Sequence, residues 1–390
     1  MFNKFFQRGR KKKSLSTASG FSRPSTCTSG ARGDLSVPTA DTRAAIDELS
    51  FLVKNHPEAV EIYLALGNLY RSQGEIERAI QIRNSLIVRS GVDDQFKARA
   101  WFELGRDFLR AGLLDRCAHA LEKAEELSGD NPEIVLEMAR LAARTGEYAR
   151  AAELYDLLDQ PLIQAHYLVK QAGEHLAFDE ESQGKKLIKQ ALKVYPGSPE
   201  AWLETLRFEY STGKIEKFQK NLAQALISVP VGIRFILLEG LYDDFVRKDT
   251  SNTIVANNTS ENNAELGRVA FREAVVPVLE EQQTDVLVYY YGACILLASG
   301  EQELARLWFE KTLLLYPDFW LARLELFELS SEEQQLTPFF KEQLNFFLQH
   351  ARNVKRFLCK SCGFKSDQFF FTCPKCQCWH SISFRKELTR

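Results

Sequence analysis

The sequence lacks the marks of several protein classes. No apolar run approaches the ~18 residues that a membrane-spanning helix needs, so none is predicted. No apolar segment of secretory-signal type follows the basic start, and we therefore expect a cytoplasmic protein in a reducing compartment. A P-loop, a Gly-x-Ser-x-Gly motif and a His-Glu-x-x-His motif are all missing, and the six histidines are dispersed. The sequence therefore predicts a protein that is not an enzyme.

The net charge of -2 hides an uneven distribution along the 390 residues. Residues 1–33 carry eight basic side chains and no acidic one, and residues 351–390 carry nine basic side chains against Asp367 and Glu387. The long middle of the chain is therefore strongly acidic. An acidic body is repelled by phosphate backbones, so nucleic acid is not an expected partner.

Residues 1–40 are rich in Ser, Thr, Gly and basic residues and predict a disordered tail. At its start, three phenylalanines fall on one helical face beside a basic cluster, and such a segment can lie in the headgroup layer of an anionic membrane. The alternative is a solvated tail. If the tail binds, the protein is expected at the periphery of the cytoplasmic face of a membrane. The residues concerned are Phe2, Phe5, Phe6, Lys11, Lys12 and Lys13.

From residue 41 to about 335 the pattern is helical and repeats about every 34 residues. In most units small residues recur at positions 8 and 20 and glycine near 15, and three units have proline at 32, with large apolar residues between these positions. This is the tetratricopeptide pattern, in which helix pairs stack because one pair alone cannot bury its apolar face. An Asn/Ser/Thr-rich insertion at about 248–263 predicts a loop. The units start near Val60, Ala98, Pro132, Ala165, Pro199, Ile233 (degraded) and Val286.

The first helices of such units line the concave side of the array, and here they carry a basic stripe. Arginine presents a planar fork that suits carboxylates, so one interpretation is a groove for an acidic partner protein. The other is a solvated helix face neutralised by Glu103 and Glu137 on the same helices. The sequence leaves both open. The predicted groove residues are Asn68, Arg71, Arg106, Arg110, Arg140 and Arg144.

After a Phe-rich linking helix at 336–353, residues 354–386 contain two C-x2-C motifs. Cys359 with Cys362, and Cys373 with Cys376, each predict a knuckle that points two thiolates at one ion. Four protein ligands close the site, which indicates a structural metal. Zinc is favoured and iron, with a redox role, is the alternative. Cys378 and His380 are surplus to this ligand set, and Phe369 to Phe371 are predicted to form a hairpin between the knuckles.

The stretches LGNLYRSQGEIERAIQI (66–82), LGRDFLRAGLLDRC (104–117) and RFLCKSCGF…CPKC (356–376) together resemble the lipopolysaccharide assembly protein B family. The resemblance implies an all-α tetratricopeptide-repeat superhelical solenoid with a small C-terminal rubredoxin-like or zinc-ribbon module. It also implies an adaptor at the cytoplasmic face of the inner membrane, which brings the deacetylase of the committed lipid A step to a membrane-bound AAA+ protease. By motif match, the four C-x2-C cysteines are the metal ligands. A generic tetratricopeptide assembly chaperone is a further alternative, and the oligomeric state is left open.

Overall fold

A computed structural model describes residues 40–56, 59–247, 259–282 and 285–387. Over these ranges the chain forms seventeen α-helices and one small sheet, divided into two compact units. The unit up to Glu147 contains α1 Ala40–Asn55, α2 Val60–Ser72, α3 Ile76–Ile87, α4 Asp94–Ala111, α5 Leu114–Ser128 and α6 Pro132–Thr145. The unit Tyr148–Arg390 contains α7 Tyr148–Leu157, α8 Pro161–Ala177, α9 Glu181–Val194, α10 Pro199–Ser211, α11 Ile215–Ser228, α12 Phe235–Tyr242, α13 Thr259–Glu281, α14 Val286–Ala298, α15 Gln302–Leu315, α16 Trp320–Glu333, α17 Pro338–Arg352, β1 Phe357–Cys359, β2 Lys365–Ser366 and β3 Ile382–Phe384.

The helix pairs follow the predicted repeat phase, and the small residues do what the pattern requires of them. Gly105 lies against α5, because a Cβ added there would come within 2.9 Å of Leu121. Ala139 and Ala172 are fully buried at the equivalent position of later units. The tetratricopeptide fold predicted from the sequence is therefore confirmed.

The turns between paired helices use the left-handed backbone conformation. Gly112 and Gly146 have φ of 75° and 81°, where a side chain would be strained. In the unit that begins at Ala165 the same turn is made by Asp179 with φ 61°. Aspartate tolerates this conformation better than most residues, so that unit keeps its turn without a glycine.

The polar insertion is shorter than predicted at its C-terminal side. Residues 248–258 lie outside the described residues, but α13 begins at Thr259, so residues 259–263 are helical rather than loop. Asn, Ser and Thr are favoured both in loops and at helix N-termini, and composition alone therefore misplaces this boundary.

The C-terminal module is a three-stranded antiparallel sheet in the order β2-β1-β3, with Phe357 paired to Ser366 on one side and to Phe384 on the other. The prediction that Phe369 to Phe371 form a hairpin is wrong. These residues form no strand, and their side chains pack against the core of the repeats instead. The apolar burial available there outweighs the local strand preference of three aromatic residues.

After the repeat that ends with α15, α16 and α17 form one more packed helix pair. In the described part of the chain, no single helix is long and apolar enough to cross a membrane. Only α11 taken together with the segment Val231–Val246 meets the length and composition criteria, and that pair is bent by 115°.

Candidate metal centre

The two C-x2-C motifs form matching knuckles. In the first, the Cys359 N–H donates to the Phe364 carbonyl and the Gly363 N–H donates to the Cys359 carbonyl. In the second, Cys373 and Gln377 make the equivalent bonds at 3.0 and 2.8 Å. The fifth residue of each knuckle is left-handed, with φ 71° at Gly363 and 56° at Gln377. Glycine adopts this conformation freely, whereas the side chain of Gln377 makes it less favourable.

The knuckles bring four sulfur atoms together. Cys359 Sγ lies 3.6 Å from Cys376 Sγ, and Cys362 Sγ lies 3.6 Å from Cys373 Sγ. All four sulfur atoms are within 4.8 Å of one another. Zn–S bonds of about 2.3 Å in a tetrahedron place the sulfurs about 3.8 Å apart. The donor set and its spacing therefore fit one tetrahedral metal ion.

The thiols do not ionise alike in this cluster. Burial raises the pKa of Cys359. Hydrogen bonds from the Ser381 hydroxyl and from the backbone N–H groups of Cys362 and Ser361 have the larger effect in total and lower the pKa to about 6. Desolvation together with the neighbouring thiols raises the pKa of Cys376 to about 12. Four thiolates in so small a volume repel one another, so a bound cation is what makes full ionisation favourable.

Aromatic side chains attach the metal module to the repeats. Phe357 of β1 stacks on Phe235 of α12 with ring centroids 5.5 Å apart. Phe384 of β3 lies 5.8 Å from both Phe235 and Phe319, and 6.1 Å from Tyr290. Phe357, Phe384 and Phe319 belong to the same buried core as helices α10 to α16. The module is therefore part of that core rather than an appendage.

A buried ion pair lies beside this aromatic contact. Glu239 of α12 is 1% exposed and its carboxylate lies 2.7 Å from Arg356 Nη2, at the start of the module. The same carboxylate accepts a hydrogen bond from the Tyr291 hydroxyl. Since an unpaired buried carboxylate is costly, Glu239 stabilises only the arrangement in which the module is docked.

A second polar contact joins the module to α8 and α10. His166 Nδ1 lies 3.0 Å from Glu200 Oε1, and His380 Nε2 of the module lies 3.6 Å from the same oxygen. The Ser198 hydroxyl donates to the other carboxylate oxygen, and Trp379 packs on His166 with ring centroids 4.8 Å apart. His380, surplus as a metal ligand, thus faces a buried carboxylate. The module thus contacts helices from α8 to α16, where the Trp320 indole N–H donates to the Arg385 carbonyl.

The predicted groove residues lie in the unit that ends at Glu147, and their side chains bind their own chain. Arg71 pairs with Glu103 at 2.7 Å and Asp107 at 3.0 Å. Arg106 lies 3.5 Å from Glu137, which also binds Arg140 at 2.8 Å. Glu103 is 1% exposed. Burial raises its pKa, but Arg71 and Arg106 lower it below the ordinary value.

The other groove residues also form hydrogen bonds within the chain: two arginines donate to backbone carbonyls, and Asn68 accepts through its amide oxygen. Arg110 donates to the Arg71 carbonyl at 3.0 Å, and Arg144 donates to the Leu109 carbonyl at 2.8 Å, each at the end of a preceding first helix. Asn68 accepts from Arg71 and from Arg83, a fully buried arginine that sequence reasoning missed. These contacts are those of the neutralised helix face, and partner binding by the stripe stays a prediction. The predicted membrane-surface residues Phe2, Phe5, Phe6 and Lys11 to Lys13 lie outside the described residues.

Comparison with known proteins supports the repeat architecture. The tetratricopeptide repeat family matches residues 32–90 and 102–165. Lipopolysaccharide assembly protein B of Escherichia coli K12 is 24% identical over 349 residues, 87% of this chain and 84% of that protein. The chain resembles lipopolysaccharide assembly protein B. The Haemophilus influenzae Rd protein of that name is 22% identical over 86% of this chain and 81% of its own length. The resemblance predicted from the sequence is thus confirmed.

Among solved structures, a tetratricopeptide repeat protein from Parabacteroides merdae is 16% identical and covers 74% of this chain and 98% of its own, with a TM-score of 0.31. A TM-score this low carries no information on function.

Proposed function

We propose that the protein is a non-enzymatic adaptor that regulates lipopolysaccharide synthesis by presenting the deacetylase of the committed lipid A step to a membrane-bound AAA+ protease. The observation that carries the proposal is the combination of a tetratricopeptide array with a four-cysteine module built into its core. Relatives named for lipopolysaccharide assembly align over more than four fifths of the chain.

The arrangement suits an adaptor because a metal ion bound by the four cysteines would be structural. All four donors come from the protein, which leaves no open coordination site for a substrate. Cys359, Cys362, Cys373 and Cys376 would hold the ion, which would tie the two knuckles together. The knuckles position β1 and the Trp379–His380 turn, and these contact α8, α10 and α12. Repeat arrays offer extended surfaces to protein partners.

The proposal is tested by affinity purification of the full-length chain from its own cells, followed by mass spectrometry. We expect the deacetylase and the protease to be recovered together. A Cys359→Ser, Cys376→Ser variant is the comparison, since it removes two of the four clustered thiols, and its thermal melt shows whether the repeats remain folded. Recovery of neither protein with the intact chain, or equal recovery with the variant, would contradict the proposal.

The direct test uses purified components. Degradation of the deacetylase by the protease is followed with and without the full-length chain. We expect the adaptor to accelerate degradation several-fold and to remain intact. A rate that does not depend on its concentration would reject this role.

A further inference from the structure

Helix α17 carries a seven-residue repeat that the metal site and the repeat core do not use. Its sequence reads FFKEQLN followed by FFLQHAR, so paired phenylalanines recur seven residues apart. Leu344 and Leu348 are the residues that the helix buries, and α17 packs on α16. The four phenylalanines are exposed, by 71% at Phe339, 53% at Phe340, 53% at Phe346 and 65% at Phe347.

These side chains form one continuous face. With a rotation of about 100° per residue, the four phenylalanines span about 120° of the helix surface. Gln343 and His350 fall within the same arc, and the His350 ring packs against the Phe346 ring at an angle of 39° with centroids 4.1 Å apart. Lys341, Glu342 and Arg352 fall outside it. We call the surface formed by Phe339, Phe340, Gln343, Phe346, Phe347 and His350 the Phe face; it carries no acidic or permanently charged residue.

The position of the Phe face makes it unusual. The terminal helices of repeat arrays present a polar outer face, because no further repeat covers them. Here four phenylalanines at about 60% exposure leave roughly 500 Å² of aromatic surface uncovered, taking about 200 Å² for each side chain. A patch of this size on a soluble domain marks an interaction site. The seven-residue spacing is that of one helix packing along another, which indicates a helix as the occupant.

We propose that the Phe face binds the same face of a second copy of this chain, with the two α17 helices antiparallel. A two-fold interface needs a self-complementary patch, and an apolar face without fixed charge meets its own copy without repulsion. Antiparallel pairing sets each Phe-Phe pair of one copy opposite the other pair of its partner. Two such faces together bury about 1,000 Å², the lower limit for a specific interface.

The centre of the pairing is Gln343, midway between the two Phe-Phe pairs. On a two-fold axis it meets its own copy, and two amides form a reciprocal hydrogen bond. A single polar residue in an apolar seam fixes the register of paired helices at some cost in affinity. The small area and this polar centre together predict a dimer that dissociates on dilution.

To test the proposal, the molecular mass of the full-length chain in solution is measured by sedimentation velocity over a hundred-fold range of protein concentration. We expect a monomer–dimer equilibrium in the wild type. Phe339→Ser with Phe346→Ser should weaken dimerisation by at least tenfold with an unchanged thermal melt. Phe178→Ser is the matched control, since Phe178 is 80% exposed and lies at the end of α8. A wild type that is monomeric throughout, or a dimer that the double variant leaves intact, overturns the proposal.

Charged substitutions at Gln343 distinguish binding of a second copy of the chain from binding of a lipid surface. Gln343→Lys and Gln343→Glu should each be monomeric, because like charges meet on the axis, and an equimolar mixture of the two should restore the dimer. The same proteins are sedimented with vesicles containing phosphatidylglycerol. Vesicle binding by a monomeric wild type, strengthened by Gln343→Lys, would show that the face binds lipid and would overturn the proposal. An equimolar mixture of the Gln343→Lys and Gln343→Glu variants that stays monomeric would also overturn the proposal.

Discussion

His166 and Glu200 lie one repeat apart in the chain and meet at 3.0 Å inside the unit, where the carboxylate also faces His380 of the metal module. Glu200 is 6% exposed. The pair therefore connects two consecutive repeats and the module through a single buried carboxylate.

Glu200→Gln should loosen the module without displacing the metal. The amide keeps the shape of the side chain but loses the charge that holds the two imidazoles, and we expect a loss of about 1–3 kcal/mol in the free energy of unfolding. Chemical denaturation checks the loss, and limited proteolysis checks release of the module. Glu216→Gln, at an exposed position in the first turn of α11, is the control and should cost only the helix-dipole contribution of about 0.3–1 kcal/mol, without release of the module.

The same contact predicts an acid sensitivity. Burial raises the pKa of Glu200, but interaction with His166 and His380 lowers it more strongly, to well below its ordinary value. A carboxylate with a depressed pKa stabilises the fold above its unfolded pKa of about 4.3, and this contribution is lost as pH falls below that value. The wild type should therefore lose stability between pH 5 and 3 (about the range in which the unfolded carboxylate titrates) more steeply than Glu200→Gln. If the free energies of unfolding of the wild type and Glu200→Gln fell in parallel with pH, the predicted acid sensitivity would be contradicted.

Cys359→Ser should abolish metal binding and unfold the module. A closed four-sulfur site that loses one thiolate loses much of its binding free energy, and that free energy holds the knuckles together. Metal content by elemental analysis and near-ultraviolet circular dichroism are the measurements. Cys378→Ser should retain the metal, since Cys378 is not among the four clustered sulfurs. Equal metal loss in both variants would show that the ligand set is wrong. A colourless protein indicates zinc, and visible absorption indicates iron.

Gly292→Ala should destabilise the repeats by about 1–3 kcal/mol, through overpacking. A Cβ at this position would lie 2.1 Å from Trp308 Cζ3, and both residues are in the core between α14 and α15. Gly173→Ala is the matched control, because it lies in helix α8 with no atom within 4 Å of an added Cβ. That variant should be neutral or more stable by up to about 1 kcal/mol. Thermal melts compare the two.

The arginine stripe can be tested without breaking the fold if exposed members are changed. Arg110 and Arg144 donate only to backbone carbonyls among the contacts described, and both are exposed. Arg110→Gln with Arg144→Gln should weaken capture of an acidic partner several-fold and leave the melting temperature within a few degrees. A pull-down of the deacetylase alongside the melt checks both. Undiminished capture would mean that the stripe is a solvated face.

Local spacing in the sequence was enough to predict the repeat architecture and the cluster of four cysteines. Both depend on spacing within a short stretch of chain. Small residues at 34-residue intervals allow close helix contact, and two C-x2-C pairs place four thiolates at one point, whatever surrounds them. The turn at Gly112 was predictable because glycine recurs near position 15 of the repeat. Asp179 makes the equivalent turn without a glycine, so composition did not indicate it.

The contacts of the charged and aromatic side chains could be found only in the folded chain. The repeat position of Arg71 predicts a groove residue, but its side chain pairs with Glu103 and Asp107 of the next repeat. Phe369 to Phe371 read as a strand, yet they pack on the repeats. His166, Glu200 and His380 meet across more than 200 residues of chain. Such contacts are set by how repeats and module pack, and the free energy of burying a group depends on its partners rather than on its neighbours in sequence.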